Sequence, residues 1–437
     1  MTYRDFPFPD GTPLFPTRAE VLAYLHRYAD SMDARSFTRF RTAVDSVKRI
    51  SSSGPGNSKW LVKSHRVDVP DTDMEDVFDF VGIASGWARV PHVPLVQGME
   101  HFRGSQLHSA WYRSPVAFRG KRVVIVGNFS SGADIARELC GGSVRTFDGY
   151  EEWNRQANST PSETGTVVYH SYRDPTKPPA LDYYPLDKDS PDWCKRINVV
   201  ASIDHVNPNG SLTLVDGKTI DVDVIVWATG FWRSLPYIDS NAAPFKDFPL
   251  VPRVGDKLVQ NKHCPPIGVV GNETMHGASC LTNLDDWQIF YEPDKTLALL
   301  GVPVNVIPFP LTNVQAKVIA TFWAGRMNEL PRVTQLRTSR DPKKWTDAAT
   351  GSPTTTSSGI RPTSHDIESP AEEAYLGMCC ADQDALVSHL PGEEGKSRAP
   401  WDTSELARGP EGFAKLSLWR LGRLHNRVKL RREHIHY

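Results

Sequence analysis

Neither sign of charge dominates this 437-residue chain, in which 50 basic residues stand against 51 acidic ones. That balance removes the electrostatic case for nucleic acid as a partner. A run of about 18 apolar residues, which a membrane-spanning helix would need, is also missing. No charged-then-apolar leader opens the chain. Membrane association is therefore not expected, and a soluble cytoplasmic protein is. The six cysteines, at 140, 194, 264, 280, 379 and 380, form no C-x-x-C pair and no zinc spacing. Free thiols in a reducing compartment are the expectation. No carboxylate pair or metal-ligand cluster points to hydrolytic or metal chemistry.

What is present is organised around Lys121–Cys140, KRVVIVGNFSSGADIARELC. Arg122–Gly127 reads as a buried parallel strand ending in glycine, and Asn128, Phe129, Ser130, Ser131 and Gly132 form a short polar turn. Ala133, Ile135, Ala136 and Leu139 then recur at helical spacing. A strand, a tight turn and a helix N-terminus bring free backbone N–H groups and the positive end of the helix dipole to an anion. Gly127 and Gly132 fill the first and last slots of the dinucleotide fingerprint G-x-G-x-x-G, but Phe129 takes the middle one. There glycine ordinarily lets the backbone approach a pyrophosphate. The alternative is a plain β–α turn.

At this length the chain can hold two or more domains. Met1–Pro16 is aromatic and proline-rich and reads as an irregular segment; Thr17 and Glu20 then form a capping box for a helix with Val21, Leu22, Leu25 and Tyr28 on its apolar face. Val44–Val47 and Trp60–Val62 suggest a hairpin. Phe78–Gly86 is an apolar run in which Asp79 precedes Ala84, Ser85 and Gly86 by five to seven residues, and Asp223 precedes Ala228, Thr229 and Gly230 by the same offsets. Two strands that end in small residues thus flank the nucleotide stretch, and both read as crossings between an outer and an inserted domain, where backbone can approach a ligand. Val144–Phe147 is the expected next strand, and Ser211–Val215 is expected to pair with Thr219–Val226 about Asp216-Gly217. Further strands are expected at Thr296–Gly301 and Val304–Phe309, a helix at Val314–Met327, a polar insert at Arg337–Pro370, and a docked basic amphipathic helix at Phe413–Arg432.

The stretch Phe102-Arg-Gly104-Ser-Gln-Leu-His108-Ser-Ala-Trp-Tyr112 fits F-x-G-x-x-x-H-x-x-x-[FY], and Ala228–Phe231 reads ATGF. With the spacing to Gly127, these motifs resemble flavin-containing monooxygenases over about Tyr3 to Pro331. The opening FPFP resembles the fungal branch, whose members often tailor secondary metabolites. Baeyer–Villiger relatives carry Trp where Tyr112 stands.

The resemblance implies an α/β fold with two dinucleotide-binding (Rossmann-like) domains, the NADP domain inserted into an FAD domain. Its expected boundaries are 1–115 for the first FAD portion, 116–222 for the insert, 223–335 for the FAD return and 336–437 for a polar and helical tail. NADPH would reduce FAD, and the reduced flavin with O2 would oxygenate a nitrogen or sulfur centre of a small-molecule substrate; a homo-oligomer is compatible with this.

Carried over, Gly127, Asn128, Ser130, Ser131 and Gly132 meet the NADP pyrophosphate, with Arg145 toward the 2′-phosphate. Phe102, Gly104 and His108 form a linker coupling the two sites, His108 acting conformationally. Ser85 and Gly86 lie at the first crossing, and Thr229 and Gly230 at the second, near both cofactors. The resemblance assigns no catalytic side chain. Two departures remain. The family's first strand and FAD-binding G-x-G-x-x-G have no counterpart before Met1, which implies either a truncated gene model or a catalytically silent NAD(P)-binding remnant. Asp148, 21 residues past Gly127, suits NADH, whereas Arg145 or Arg155 suits NADPH.

Overall fold

The computed structural model describes residues 2–3, 5–51, 58–141, 165–177, 179, 183–251, 281–285, 287–302, 308–327, 330 and 390. These fall into two compact units, one holding the described residues up to 87, 235–251 and those from 281 onward, the other holding 88–234. Val144–Phe147, the polar insert and the basic terminal stretch lie outside the described residues.

In the first unit the helix Arg18–Ser31 begins at the expected capping box. Thr17 N–H donates to Glu20 Oε2 at 2.6 Å, and Glu20 N–H donates to Thr17 Oγ1 at 3.3 Å. Both bonds satisfy N–H groups that a helix start leaves open. Its buried face is centred on Tyr24, whereas Leu22, expected inside, is 52% exposed. The reason is the opening segment, which lies on the helix through rings: Tyr3 stacks on Tyr28 with centroids 3.8 Å apart and Phe8 on Tyr24 at 3.9 Å. Aromatic stacking thus gives an irregular, proline-rich segment a fixed place.

The hairpin forms as expected, Thr42–Ser51 antiparallel to Ser58–Arg66, and Met74–Phe78 adds a third strand. The apolar run 78–86 is therefore divided: Phe78 ends one strand and Val81–Ile83 forms another, parallel to Leu297–Leu299. Trp60 is fully buried in this unit and donates its indole N–H to Thr296 Oγ1 at 2.8 Å. The closing helix starts at Pro308, earlier than the pattern predicts, and runs to Trp323. Pro308 and Pro310 fit there because first-turn positions need no N–H donor.

Asp285, in the same unit, accepts the N–H groups of Ile289 at 2.7 Å and Phe290 at 3.2 Å on Oδ1. Burial nevertheless dominates and pushes its carboxyl up to about 6. Between the unfolded value of about 4 and about 6, the native state holds a proton that the unfolded chain has released. Stability from this group is therefore full below about 4 and is lost as pH rises through about 6. Asp285→Asn keeps the Oδ1 acceptor and removes the charge. Its expected effect is stabilisation by about 1–3 kcal/mol at pH 8 that disappears at pH 4, measured by denaturant unfolding at both values.

The second unit is built on a five-stranded sheet in the order Ser105–His108, Val224–Trp227, Arg122–Val126, Val167–Ser171, Ile197–Val200, every neighbour parallel. Val123 and Ile125 pack on one face and Val124 on the other, so the strand is apolar throughout, as a parallel strand covered on both sides must be. The helix Ser130–Leu139 covers the first face with Ile135, Ala136 and Leu139. The strands 105–108 and 224–227 both belong to this sheet, so the expected boundaries at 116 and 222 fall within the unit. The expected pairing of 211–215 with 219–226 is shorter than predicted: Leu212–Leu214 pairs antiparallel with Ile203–Val206 on one side, and on the other it meets Thr219–Ile220 and no more of the segment. Asp223 ends it by taking the Arg122 N–H at 2.8 Å and the guanidinium at 2.8 Å, which starts the chain on its parallel course.

Among the described residues, no helix is long and apolar enough to cross a membrane, and no group of His, Cys, Asp and Glu could hold a metal. Cys140 and Cys194 are both buried, and burial raises the pKa of the former.

Candidate functional site

The register of the parallel sheet sets Trp227 opposite both Val126 and His108. The chain therefore leaves three adjacent strands at one edge, through Gly127, Ala228–Gly230 and His108. This is the carboxyl edge at which open α/β sheets take ligands.

At the first exit, Gly127 has φ +106°. Its N–H donates to the Ser171 carbonyl at 3.0 Å, and its carbonyl accepts from His170 Nε2 at 2.9 Å. A Cβ on Gly127 would stand 2.6 Å from the Ala228 carbonyl oxygen, and one on Gly132 would stand 1.8 Å from the Gly127 oxygen. Both outer glycines of the fingerprint are thus required by packing: the helix sits directly on the strand end. The middle slot is different. Phe129 is the N-cap, with φ −83° and ψ −173°, and its ring is 37% exposed. An L-residue takes that backbone without strain, so phenylalanine is accommodated. Beyond it, the first intrahelical bond runs from Ala133 N–H to Phe129 O at 2.9 Å. The amides of Ser130, Ser131 and Gly132 are the ones a helix start presents to an anion. Asn128 and Ser130 are half-buried beside them and Ser131 is exposed.

At the second exit Gly230 has φ +80°, with open space where a side chain would go. Its carbonyl accepts two bonds, from His92 N–H at 2.9 Å and from His108 Nε2 at 2.9 Å. Thr229 Oγ1 donates to the His92 carbonyl, and His92 Nδ1 lies 3.3 Å from the Thr229 carbonyl. His108 is fully buried, and its Nδ1 accepts the Ala110 N–H at 3.2 Å. One nitrogen donates and the other accepts, so the ring is a neutral imidazole. Burial agrees, pulling His108 down to about 4; it also lowers His92. A histidine held neutral between two backbone groups fixes conformation.

The rest of the linker motif packs in the same unit. Gly104 lies so close to Asp223 that a Cβ would meet its carbonyl oxygen at 2.4 Å. Phe102 packs against the cluster of Met99, Val206, Leu212 and Trp227. Tyr112 donates its hydroxyl to Glu138 Oε2 at 2.9 Å, tying the motif's last slot to the nucleotide helix, and burial raises its pKa. His92 and His170 carry no sequence signal beyond being lone histidines. Arg145 lies outside the described residues, as do Asp148 and Arg155.

Ser85 and Gly86 belong to the first unit, where Ser85 Oγ is 2.9 Å from the Tyr237 hydroxyl and Gly86 has φ +73° with open space around it. In that unit Gln315 is fully buried and accepts the Gly301 N–H at 2.8 Å, while its Nε2 has no partner among the described residues. A buried amide donor costs about 1–3 kcal/mol if left unpaired, so it fits the polar edge of a bound group. The strands 81–83 and 297–299 run parallel, and this donor lies beside Gly301 just past the end of the second. The glycine turn and helix that suit a pyrophosphate are, among the described residues, those of the second unit.

A family model described as flavin-binding monooxygenase-like matches residues 1–147. The thiol-specific monooxygenase of Saccharomyces cerevisiae is 30% identical over 329 residues, 73% of this chain and 61% of that one. Flavin-containing monooxygenase FMO GS-OX-like 3 of Arabidopsis thaliana is 27% identical over 331 residues, 74% of this chain and 60% of its own length. The chain thus spans about 60% of the length of these curated relatives. Among solved structures, S-allyl-L-cysteine S-oxygenase from Allium sativum aligns with a TM-score of 0.59 at 21% identity, covering 99% of this chain and 76% of that one. That likeness establishes the α/β fold.

Proposed function

We propose, for a chain that belongs to the flavin-containing monooxygenase family, an FAD- and NADPH-dependent oxygenase of a soft sulfur or nitrogen centre in a small molecule. The observation that carries this reading is the hydrogen bond from His108, inside the family's linker motif, to the Gly230 carbonyl. It joins that motif to the strand exit beside the Gly127 turn. In this reading the turn and the first-turn amides of Ser130–Gly132 hold the dinucleotide pyrophosphate. His108 and His92, both neutral, hold the Thr229–Gly230 backbone and move no proton. Ser85, Gly86 and Gln315 meet the flavin. When bound, the flavin supplies the redox chemistry, accepting hydride from the nicotinamide and activating O2.

NADPH is preferred over NADH, with Arg145 as the 2′-phosphate partner. Sulfur is preferred over nitrogen because a relative sharing 30% identity is a thiol-specific monooxygenase. A role in secondary metabolism is part of the same proposal.

The test is reconstitution of the full chain with FAD, then NADPH oxidation and oxygen uptake with a thiol, a thioether and a tertiary amine. Retained flavin colour and thiol-stimulated uptake, equal to the NADPH consumed, is the expected result. A colourless protein that still binds NADP+ calorimetrically and takes up no oxygen would make it a nucleotide-binding remnant instead.

A further inference from the structure

We infer that His170 is the positioning residue of the nucleotide turn: its Nε2–H fixes the Gly127 carbonyl inward and so turns the next amide, Asn128 N–H, toward the phosphate. The inference rests on the reading of that turn as the NADP site. His170 lies on the strand 167–171, 1% exposed, with its backbone in register with Ile125. The strand grips Gly127 at both polar groups, Ser171 taking its N–H at 3.0 Å and His170 reaching its carbonyl at 2.9 Å. The Gly127 oxygen can only accept, so Nε2 carries the proton. Burial lowers the imidazole to about 4, which keeps it in that neutral donor form.

The consequence follows from the peptide plane. In a trans peptide the C=O and the following N–H point in opposite directions. A carbonyl aimed at His170 therefore sends Asn128 N–H out toward the open side of the turn, beside the amides of the helix start. Gly127, at φ +106°, has no side chain to resist rotation of that peptide. Were the peptide to flip, a carbonyl oxygen would face the anion where an N–H belongs, reversing the sign of the local dipole. The histidine is also packed in place: its ring meets Tyr172 edge-on at 4.7 Å, and a Cβ on Gly132 would come within 3.1 Å of its Nε2.

The test compares His170→Gln, whose amide nitrogen can occupy the Nε2 position, with His170→Met, which has similar length and no donor. Calorimetric titration with NADP+, and separately with NAD+, is run on the full chain, with the unfolding temperature of each variant fixing its folded fraction. One lost hydrogen bond of ordinary net strength corresponds to roughly tenfold weaker binding. The methionine variant should show that loss, and the glutamine variant should bind within about threefold of the native chain. In turnover the methionine variant should raise KM for NADPH and leave kcat near native. Equal affinities in all three proteins, or equal losses in both variants, would overturn the inference while leaving the nucleotide reading intact. Failure of the native chain to bind either dinucleotide would overturn both. If the methionine variant does not fold, His170→Asn, whose amide is too short to reach Gly127, replaces it with the same expected loss.

Discussion

Alanine at position 132 is expected to cost the protein several kcal/mol and its dinucleotide affinity. Helix propensity alone predicts the reverse, since Gly to Ala inside a helix gains up to about 1 kcal/mol. Sterics decide otherwise. The new Cβ would stand 1.8 Å from the Gly127 oxygen, 2.9 Å from its carbon and 3.1 Å from His170 Nε2. Two of those neighbours are backbone, and the third is a buried ring, so none can swing aside as a flexible side-chain tip would. Either the helix 130–139 lifts from the sheet, exposing Ile135, Ala136 and Leu139, or the Gly127 peptide rotates away from His170. Overpacking ordinarily costs about 1–3 kcal/mol, and contact this close belongs at the top of that range or above it. Gly230→Ala is the matched comparison: open space surrounds that position, and only φ +80° opposes a side chain, a penalty of about 1–2 kcal/mol. Denaturant unfolding and NADP+ titration of the two variants separate the terms. A Gly132→Ala protein as stable as the native chain, binding NADP+ normally, would show that the helix does not rest on the turn.

Gly132 was legible in the sequence because glycine spacing records backbone contact, and backbone contact at a strand–turn–helix junction is local. The Thr17–Glu20 capping box and the hairpin were legible for the same reason, each being set by residues a few positions apart. Reading failed where a local pattern met a distant partner. Val304–Phe309 looks like a strand, yet its described end, Pro308-Phe309, opens a helix, whose first turn tolerates proline because it needs no N–H donor. Leu22 sits at helical spacing but faces outward, because the opening aromatic segment claims Tyr24 instead. The pairing predicted through Val226 stops at Ile220, since Asp223 is taken by Arg122, 101 residues away. His170 and His92 were invisible because their partners are carbonyls 43 and 137 residues distant. No spacing rule carries such a pairing. His108 was visible only through the motif around it.

His108→Ala tests that motif most severely, with an expected loss of about 2–4 kcal/mol. The ring is fully buried, edge-on to Phe231 at 5.0 Å, and makes two backbone bonds, to Gly230 O and from Ala110 N. Alanine leaves a cavity and an unpaired Ala110 N–H; Gly230 O keeps its bond from His92. His108→Gln retains a donor that can reach Gly230 and should recover part of the loss. The pH dependence separates conformation from acid–base chemistry. Folding lowers His108 to about 4, whereas an unfolded histidine titrates near 6.5. Across that window the unfolded chain binds the proton and the native one does not, so stability rises with pH and is lost on acidification below about 6.5. The native protein should therefore lose its advantage over the glutamine variant by about 1–3 kcal/mol between pH 8 and pH 4.5. Asp285, with the opposite sign, is present in both and cancels. In turnover the prediction runs the other way. A proton-transferring His108 would give kcat an inflection that glutamine abolishes; a neutral clamp gives profiles of the same shape above pH 5.5, displaced in height alone. The clamp on Gly230 is refuted if the glutamine variant flattens the kcat profile.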